Sequence, residues 1–303
     1  MANLKVNIAG VEFKNPIITA SGCFGFGREY EKMYPLEKLG GMSLKGTTYA
    51  ERPGNPPPRI AETASGMLNS VGLQNPGVKH FIREELPYLL DKGTVIIANA
   101  AGSALEDYRM LAEELDQSAV DMIELNISCP NVKSGGMTFG ASCESASEIV
   151  REIRKATSKP LMVKLSPNVT DIVSIAQSVE AEGADAVSLI NTLVGMRIDI
   201  ESRRPILHQN TGGLSGPAVF PVALAMVWKV ANAVKIPVVG LGGVEKWQDA
   251  IEMMLAGATG VQVGTAMFYD PYAPLKIIEG MNEWLDRGGI ADVGEIIGQV
   301  RPW

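Results

Sequence analysis

Thr94-Val-Ile-Ile-Ala-Asn99, Asp121-Met-Ile-Glu-Leu-Asn126 and Leu161-Met-Val-Lys-Leu-Ser166 are short apolar runs rich in strand-forming residues, with helical periodicity between them. Strands that alternate with helical stretches predict βα units and a parallel sheet. Working outward from these three, runs of the same kind recur at residues 16–21, 41–47, 186–191, 237–242 and 260–264. Residues 172–182 and 218–233 are among the amphipathic stretches that separate them. Eight runs match a closed (β/α)8 TIM barrel, whereas an open doubly wound sheet usually has five or six strands. Ahead of them, residues 4–13 predict a β-hairpin that turns at Ala9-Gly10 and seats at the bottom of the barrel.

The chain has 303 residues, a length that allows either two average domains or one large α/β barrel. No shift in composition marks a linker, so residues 1–303 are read as a single barrel domain. Lys plus Arg is 27 against 34 Asp plus Glu, a formal net charge of −7. An acidic chain without a basic stripe is a poor binder of nucleic acid or of an anionic membrane surface. No apolar run reaches the roughly 20 residues that span a bilayer, and the opening alternates polar and apolar residues like a strand, unlike a signal peptide. These features predict a cytoplasmic protein. Cys23, Cys129 and Cys143 are three cysteines without paired spacing, which argues against disulfides and cannot supply the four thiolates of an iron–sulfur cluster. His80 and His208 belong to no zinc motif, and no GxSxG elbow opens a helix, so neither a metal centre nor a serine hydrolase is expected. Any demanding chemistry therefore falls to an organic cofactor.

Two connections exceed simple turns. Residues 49–74 contain the Pro-Gly-Asn-Pro-Pro-Pro stretch at 53–58, which reads as a stiff surface loop. Residues 193–217 carry Arg197, Asp199, Arg203 and Arg204. Long loops at the strand C-terminal face of a barrel are where active sites and lids sit.

The residues that end the strands are the informative ones, because those ends face the active site. Gly242-Gly243 and Gly264-Thr265 end the last two strands with small residues, a pattern suited to phosphate bound by backbone N–H groups. Lys45 and Lys164 end strands where a solvated lysine is out of place. They point to cationic stabilisation of a ligand that becomes anionic, against the plainer alternative of salt-bridged or snorkelling lysines. Asn69, Asn99, Asn126 and Asn191 recur near the same face. Each amide offers a donor and an acceptor, which suits a cyclic imide or pyrimidine, although single asparagines are commonly turn or cap residues. Cys129 follows the fourth strand in Asn126-Ile-Ser-Cys-Pro-Asn131, where a thiol with an ordinary pKa near 8.5 can act as general base. Residues 134–140, Ser-Gly-Gly-Met-Thr-Phe-Gly, read as a lid with hinge glycines. Cys23 and Cys143 are read as inert.

Taken together, Asn15-Pro-Ile-Ile-Thr-Ala-Ser-Gly22, Lys45-Gly-Thr-Thr48, Gly66-Met-Leu-Asn-Ser-Val-Gly-Leu-Gln-Asn75, Asn126-Ile-Ser-Cys-Pro-Asn131, Val163-Lys-Leu-Ser-Pro167, Ile190-Asn-Thr192 and Gly240-Leu-Gly-Gly243 resemble the dihydroorotate dehydrogenases. The matches keep their order over almost the whole chain. Residues 22–30 and 51–55 resemble the NAD-linked class 1B catalytic subunit more than the fumarate-linked class 1A enzymes. The membrane-bound class 2 enzymes are less similar, with a serine where this chain has Cys129. The resemblance implies one flavin mononucleotide per chain, with its phosphate at Gly242, Gly243, Gly264 and Thr265. It places Ser21, Lys45, Gly46, Asn99, Asn126, Lys164, Ile190 and Gly216 around the flavin. It places Lys45, Asn69, Ser70, Val71, Gly72, Leu73, Asn126, Asn191 and Thr192 on the substrate. Cys129 is then the base that takes the C5 proton of dihydroorotate while the flavin accepts the C6 hydride, in the synthesis of UMP. Lys164 faces the charge that develops on the flavin.

The class also implies an electron-transfer subunit that carries FAD and a [2Fe-2S] cluster, with a homodimer of this chain inside a heterotetramer. This chain has no GxGxxG opening a βαβ unit of its own to bind NAD. Within the resemblance, a fumarate-dependent class 1A enzyme is the alternative. From the residues alone, three other readings stay open: a Schiff-base lyase using Lys164, a phosphate-ligand binding module without catalysis, and a flavin barrel acting on RNA, which the charge disfavours.

Overall fold

A computed structural model of the chain describes residues 2–128 and 139–303. A hairpin of β1 (Val6–Ile8) and β2 (Val11–Phe13) leads into β3 (Ile17–Thr19) and β4 (Gly41–Ser43). The excursion after β4 holds β5 (Ile60–Thr63) and β6 (Gly66–Asn69). Then come β7 (Val95–Ala100), β8 (Met122–Asn126), β9 (Leu161–Lys164) and β10 (Ala186–Leu189). A second excursion holds β11 (Leu193–Gly195), β12 (Ile198–Asp199), β13 (Arg204–Pro205) and β14 (Gly212–Ser215). The last strands are β15 (Val238–Leu241) and β16 (Gly260–Val263).

The eight runs read from the sequence are the eight strands of a closed parallel barrel, in the order β3, β4, β7, β8, β9, β10, β15, β16 and back to β3. The ring closes where β16 pairs with β3, with Val261 opposite Ile17 and Val263 opposite Thr19. Strands β8, β9, β10, β15 and β16 are buried at every residue, as a parallel sheet covered on both faces requires. Helices pack outside the ring. One of them, Ile172–Ala181, starts where the Asp171 carboxylate accepts from the backbone N–H groups of Val173 and Ser174 at 3.0 and 3.3 Å. The helical stretch expected at 218–233 divides into a 3-10 turn at Pro217–Val219 and a helix at Phe220–Ala231. Among the described residues no helix is long and apolar enough to cross a membrane.

The hairpin turns where the sequence indicates. Ala9 and Gly10 both have positive φ, 54° and 84°, which is the two-residue turn that matches strand twist. Ile8 and Phe13 are fully buried against the strand starts: a Cβ on Gly260 would lie 2.8 Å from Ile8 Cδ1, and one on Gly41 would lie 2.7 Å from Phe13 Cε1. The hairpin therefore seals the bottom of the barrel.

The two long excursions differ from the loops expected of them. Strands β11, β14, β6 and β5 form one antiparallel sheet across the top, with Asn69 of β6 opposite Gly213 of β14. Short strands punctuated by Gly, Pro and Asn carry little local signal, and their pairing lies between segments far apart in the chain.

Ile8→Ala is expected to lower the unfolding free energy by about 2–5 kcal/mol, because its side chain fills a site that backbone strands cannot close around. Urea denaturation measures this, and a loss below about 1 kcal/mol would show that the hairpin is not a structural plug.

Candidate active site

The C-terminal ends of the barrel strands and the sheet above them enclose one cavity. Of the residues read from the sequence, Ser21, Lys45, Gly46, Asn69, Val71, Gly72, Leu73, Asn99, Asn126, Lys164, Ile190, Asn191 and Thr192 line it. So do Gly216, Gly242, Gly243, Gly264 and Thr265. Ser70 does not: it is fully buried behind the wall, and among the described residues its hydroxyl has no partner. Cys129 and most of the expected lid at 134–140 lie outside the described residues.

Strand register builds the cavity floor. Asn99 stands opposite Glu124, and Asn126 opposite Lys164, on neighbouring strands. Glu124 is fully buried and accepts four hydrogen bonds. Ser43 Oγ and Asn99 Nδ2 donate to its Oε2 at 2.6 and 2.7 Å. Ser188 Oγ and Gln262 Nε2 donate to its Oε1 at 2.8 and 2.7 Å. These donors come from β4, β7, β10 and β16, so they meet inside the ring, beneath the cavity. Burial is the strongest influence and opposes ionisation of this carboxyl. The Lys164 charge and the donors from Ser43, Gln262 and Ser188 together outweigh it and hold Glu124 below the usual carboxylate range.

From Asn99 the hydrogen bonds continue upward. Asn126 Nδ2 donates to Asn99 Oδ1 at 3.3 Å, Ser128 Oγ donates to Asn126 Oδ1 at 2.7 Å, and Asn191 Nδ2 donates to Ser128 Oγ at 2.6 Å. Lys164 is only 4% exposed, and among the described residues its ammonium has no hydrogen-bond acceptor. Gln262 Oε1 is likewise buried without a partner. Among the described residues, an ammonium on the cavity lining without a hydrogen-bond acceptor and a buried amide oxygen without a donor call for a ligand.

One wall is the turn after β6. Gly72 and Leu73 take positive φ, 77° and 56°, and a Cβ on Gly72 would lie 2.5 Å from the Asn55 side chain. Asn75 fastens this turn beside Lys45-Gly46: its Oδ1 accepts from the N–H groups of Thr48 and Gly77 at 3.1 and 2.9 Å, and its Nδ2 donates to Leu73 O at 2.7 Å. On the opposite side, Gly242 and Gly243 also have positive φ, 121° and 76°, and Thr265 Oγ1 donates to Ser215 Oγ at 2.8 Å, tying the end of β16 to β14.

Sequence reasoning missed Glu124, Gln262, Ser128 and Asn75. For Glu124 a signal existed: an acid in the middle of an otherwise apolar parallel strand has to be matched inside the fold. Cys23, read as inert, also lines the cavity. Burial pushes its thiol up to about 12, against the opposing pull of Lys164 and Lys45.

The family model described as dihydroorotate dehydrogenase matches residues 3–285. The chain belongs to the dihydroorotate dehydrogenase family. It is 56% identical over 301 residues to the Phocaeicola vulgatus protein named dihydroorotate dehydrogenase B (NAD(+)), catalytic subunit, covering 99% of both chains. Its Alkaliphilus oremlandii counterpart of the same name is 53% identical over 298 residues, covering 98% of this chain and 99% of that one. The NAD-linked class indicated by residues 22–30 and 51–55 is the class these relatives carry in their names. In fold, the chain superposes on a crystal structure of the dihydroorotate dehydrogenase of Eimeria tenella in complex with ferulenol with a TM-score of 0.80, at 24% identity. The superposition covers 98% of this chain and 88% of that one.

Alkylation distinguishes the two cysteines among the described residues. At pH 8 a thiol with a pKa near 12 is ionised to about one part in 10⁴, and only the thiolate reacts. Iodoacetamide mapping by mass spectrometry is expected to label the exposed Cys143 while Cys23 stays free. Equal labelling rates would show that burial does not protect Cys23.

Proposed function

We propose that this chain oxidises dihydroorotate to orotate in pyrimidine (UMP) biosynthesis, using flavin mononucleotide bound in the barrel and passing electrons to NAD+ through a second subunit. The observation that carries the reading is the cavity floor, where Lys164, without a hydrogen-bond acceptor among the described residues, lies among asparagines that present both donors and acceptors. Membership of the family and relatives named as catalytic subunits support it.

The lining fits a flavin. Among the described residues the Lys164 ammonium has no hydrogen-bond acceptor and Gln262 Oε1 no donor, a pair that suits a heterocycle carrying both carbonyl and N–H groups. Ser21, Lys45, Gly46, Asn99, Asn126, Lys164, Ile190 and Gly216 would hold the ring. Gly242, Gly243, Gly264 and Thr265 would hold the phosphate through backbone N–H groups. When bound, flavin mononucleotide supplies the two-electron acceptor for the C6 hydride.

The protein's own groups do the rest. Asn69, Asn126, Asn191 and Thr192, with Lys45 and the 70–73 turn, orient the pyrimidine and its carboxylate, which lowers the barrier by positioning. Cys129, assigned from its place in the sequence, takes the C5 proton as general base. Cys23, with its thiol held protonated, is unsuited to that task. Lys164 lies on the cavity floor, where its side chain would stabilise the negative charge that gathers as the substrate is oxidised.

The chain works in the cytoplasm as a homodimer within a heterotetramer, and the second subunit carries FAD and a [2Fe-2S] cluster. Three cysteines and no GxGxxG strand–helix turn leave this chain without the means to relay electrons to NAD+ alone.

Purified protein is expected to show flavin bands in the visible spectrum that bleach on anaerobic addition of dihydroorotate. Cys129→Ser should keep the flavin and bleach about 10²- to 10⁴-fold more slowly at neutral pH in stopped-flow. A colourless protein, or equal rates in the two forms, would overturn the cofactor or the base respectively. The chain alone should form no NADH from dihydroorotate and NAD+, and brisk NADH formation without a second subunit would remove the electron-transfer partner.

A further inference from the structure

Glu124 does not line the cavity, yet Asn99, Asn126, Asn191 and Gln262, which do, are all connected to it by hydrogen bonds. A carboxylate only accepts, whereas an asparagine or glutamine amide can present either its oxygen or its nitrogen to a neighbour. Glu124 therefore forces Asn99 to turn Nδ2 downward, at 2.7 Å. Asn99 Oδ1 then faces Asn126, which has to donate with its own Nδ2, leaving Asn126 Oδ1 to accept from Ser128 Oγ. With its proton spent there, the Ser128 hydroxyl accepts from Asn191 Nδ2, and Asn191 Oδ1 takes the N–H of Thr192 at 2.7 Å. On the other carboxylate oxygen the same logic turns Gln262 Nε2 downward and leaves its Oε1 unmatched at the cavity.

We propose that Glu124 is a positioning residue for the reaction: its acceptor-only carboxylate sets which atom each of Asn99, Asn126, Asn191 and Gln262 presents to the bound ligands. The inference rests on the function proposed above. The four donors fill the carboxylate's acceptor sites from four different strands, so the group is held without freedom to rotate. Its position under the floor, buried and away from the ligands, separates it from the residues that contact them.

Glu124→Gln keeps the size and replaces one acceptor oxygen with a donor. Ser43 and Ser188 adapt by rotating a hydroxyl, but either Asn99 or Gln262 has to turn over, and both line the cavity. Apoprotein affinity for flavin mononucleotide, from fluorescence quenching, and holoprotein affinity for orotate, from perturbation of the flavin spectrum, are measured together with the thermal midpoint. Glu124→Gln is expected to weaken at least one of the two ligands about tenfold, the scale of one hydrogen bond reversed into a clash of like atoms. Glu124→Asp keeps an acceptor-only group and is expected to bind both ligands more tightly than Glu124→Gln, even though its shorter chain leaves a gap that lowers the midpoint. Ser128→Ala, which cuts the relay above Asn126, is expected to weaken orotate about tenfold and leave flavin within twofold. It carries the test if Glu124→Gln does not fold.

Affinities in Glu124→Gln within twofold of wild type for both ligands would overturn the proposal, as would losses in Glu124→Gln and Glu124→Asp that track the thermal midpoint alone. Unchanged orotate affinity in Ser128→Ala would overturn the relay. Wild-type apoprotein that binds neither ligand would overturn the function on which the inference rests, and the inference with it.

Discussion

Closure of the barrel is the constraint from which the site follows. The pairing of β16 with β3 joins segments at opposite ends of the chain, and it leaves no strand edge in the ring unpaired. Once the ring is closed, eight strand ends that are dispersed in sequence face one cavity. A closed ring also has an interior to fill and an open bottom to cover. The hairpin carrying Ile8 and Phe13 does the covering, against glycines that let it approach the strand starts. The interior is filled in part by a polar layer, where barrels usually place branched apolar side chains.

That polar layer is costly in principle. A buried carboxylate loses its hydration, and only a full set of donors together with an opposing charge makes it tolerable. Glu124 has both: donors from β4, β7, β10 and β16, and the Lys164 charge across the floor. The arrangement is mutual. Lys164 is buried without a hydrogen-bond acceptor among the described residues, and the nearby carboxylate offsets part of the cost of keeping an ammonium there. In the proposed reaction that lysine would meet a ligand that gains negative charge, already in place before the charge develops.

The cover is built differently. Barrel strands hold Asn99, Asn126 and Lys164 on a rigid frame, while the upper walls come from the turn after β6 and from strands that pair across the two excursions. Asn75 anchors that turn through side-chain bonds to Thr48, Gly77 and Leu73 and through a backbone bridge to Arg52, so the wall beside Lys45 is fixed by contacts within the excursion and not by the barrel ladder. The floor and the cover therefore respond to different perturbations: the floor to changes in charge and hydrogen-bond polarity, the cover to changes in turn geometry.

Much of this was legible in the sequence, because it is local. Eight apolar runs, the Ala9-Gly10 turn and the residues that end each strand are read within a few positions of themselves, and the structure places the strands and the turn where those patterns indicate. The lining residues that end barrel strands were legible for the same reason, since a barrel converts "last residue of a strand" into "faces the site". Gly46, Val71, Gly72, Leu73, Ile190 and Gly216 were indicated only by the resemblance to the family. Ser70, assigned to the substrate by the resemblance, does not reach the cavity, because successive residues of an extended segment point to opposite sides and its hydroxyl is buried in the wall. The four-stranded cover and the matching of Glu124 were decided by tertiary structure alone. Glu124 meets Ser188 and Gln262 across 64 and 138 residues, and Asn69 lies 144 residues from Gly213. Contacts of that span leave no periodicity in the chain, and a charged residue in an apolar strand announces only that it needs partners, whereas closure of the ring determines which ones it meets.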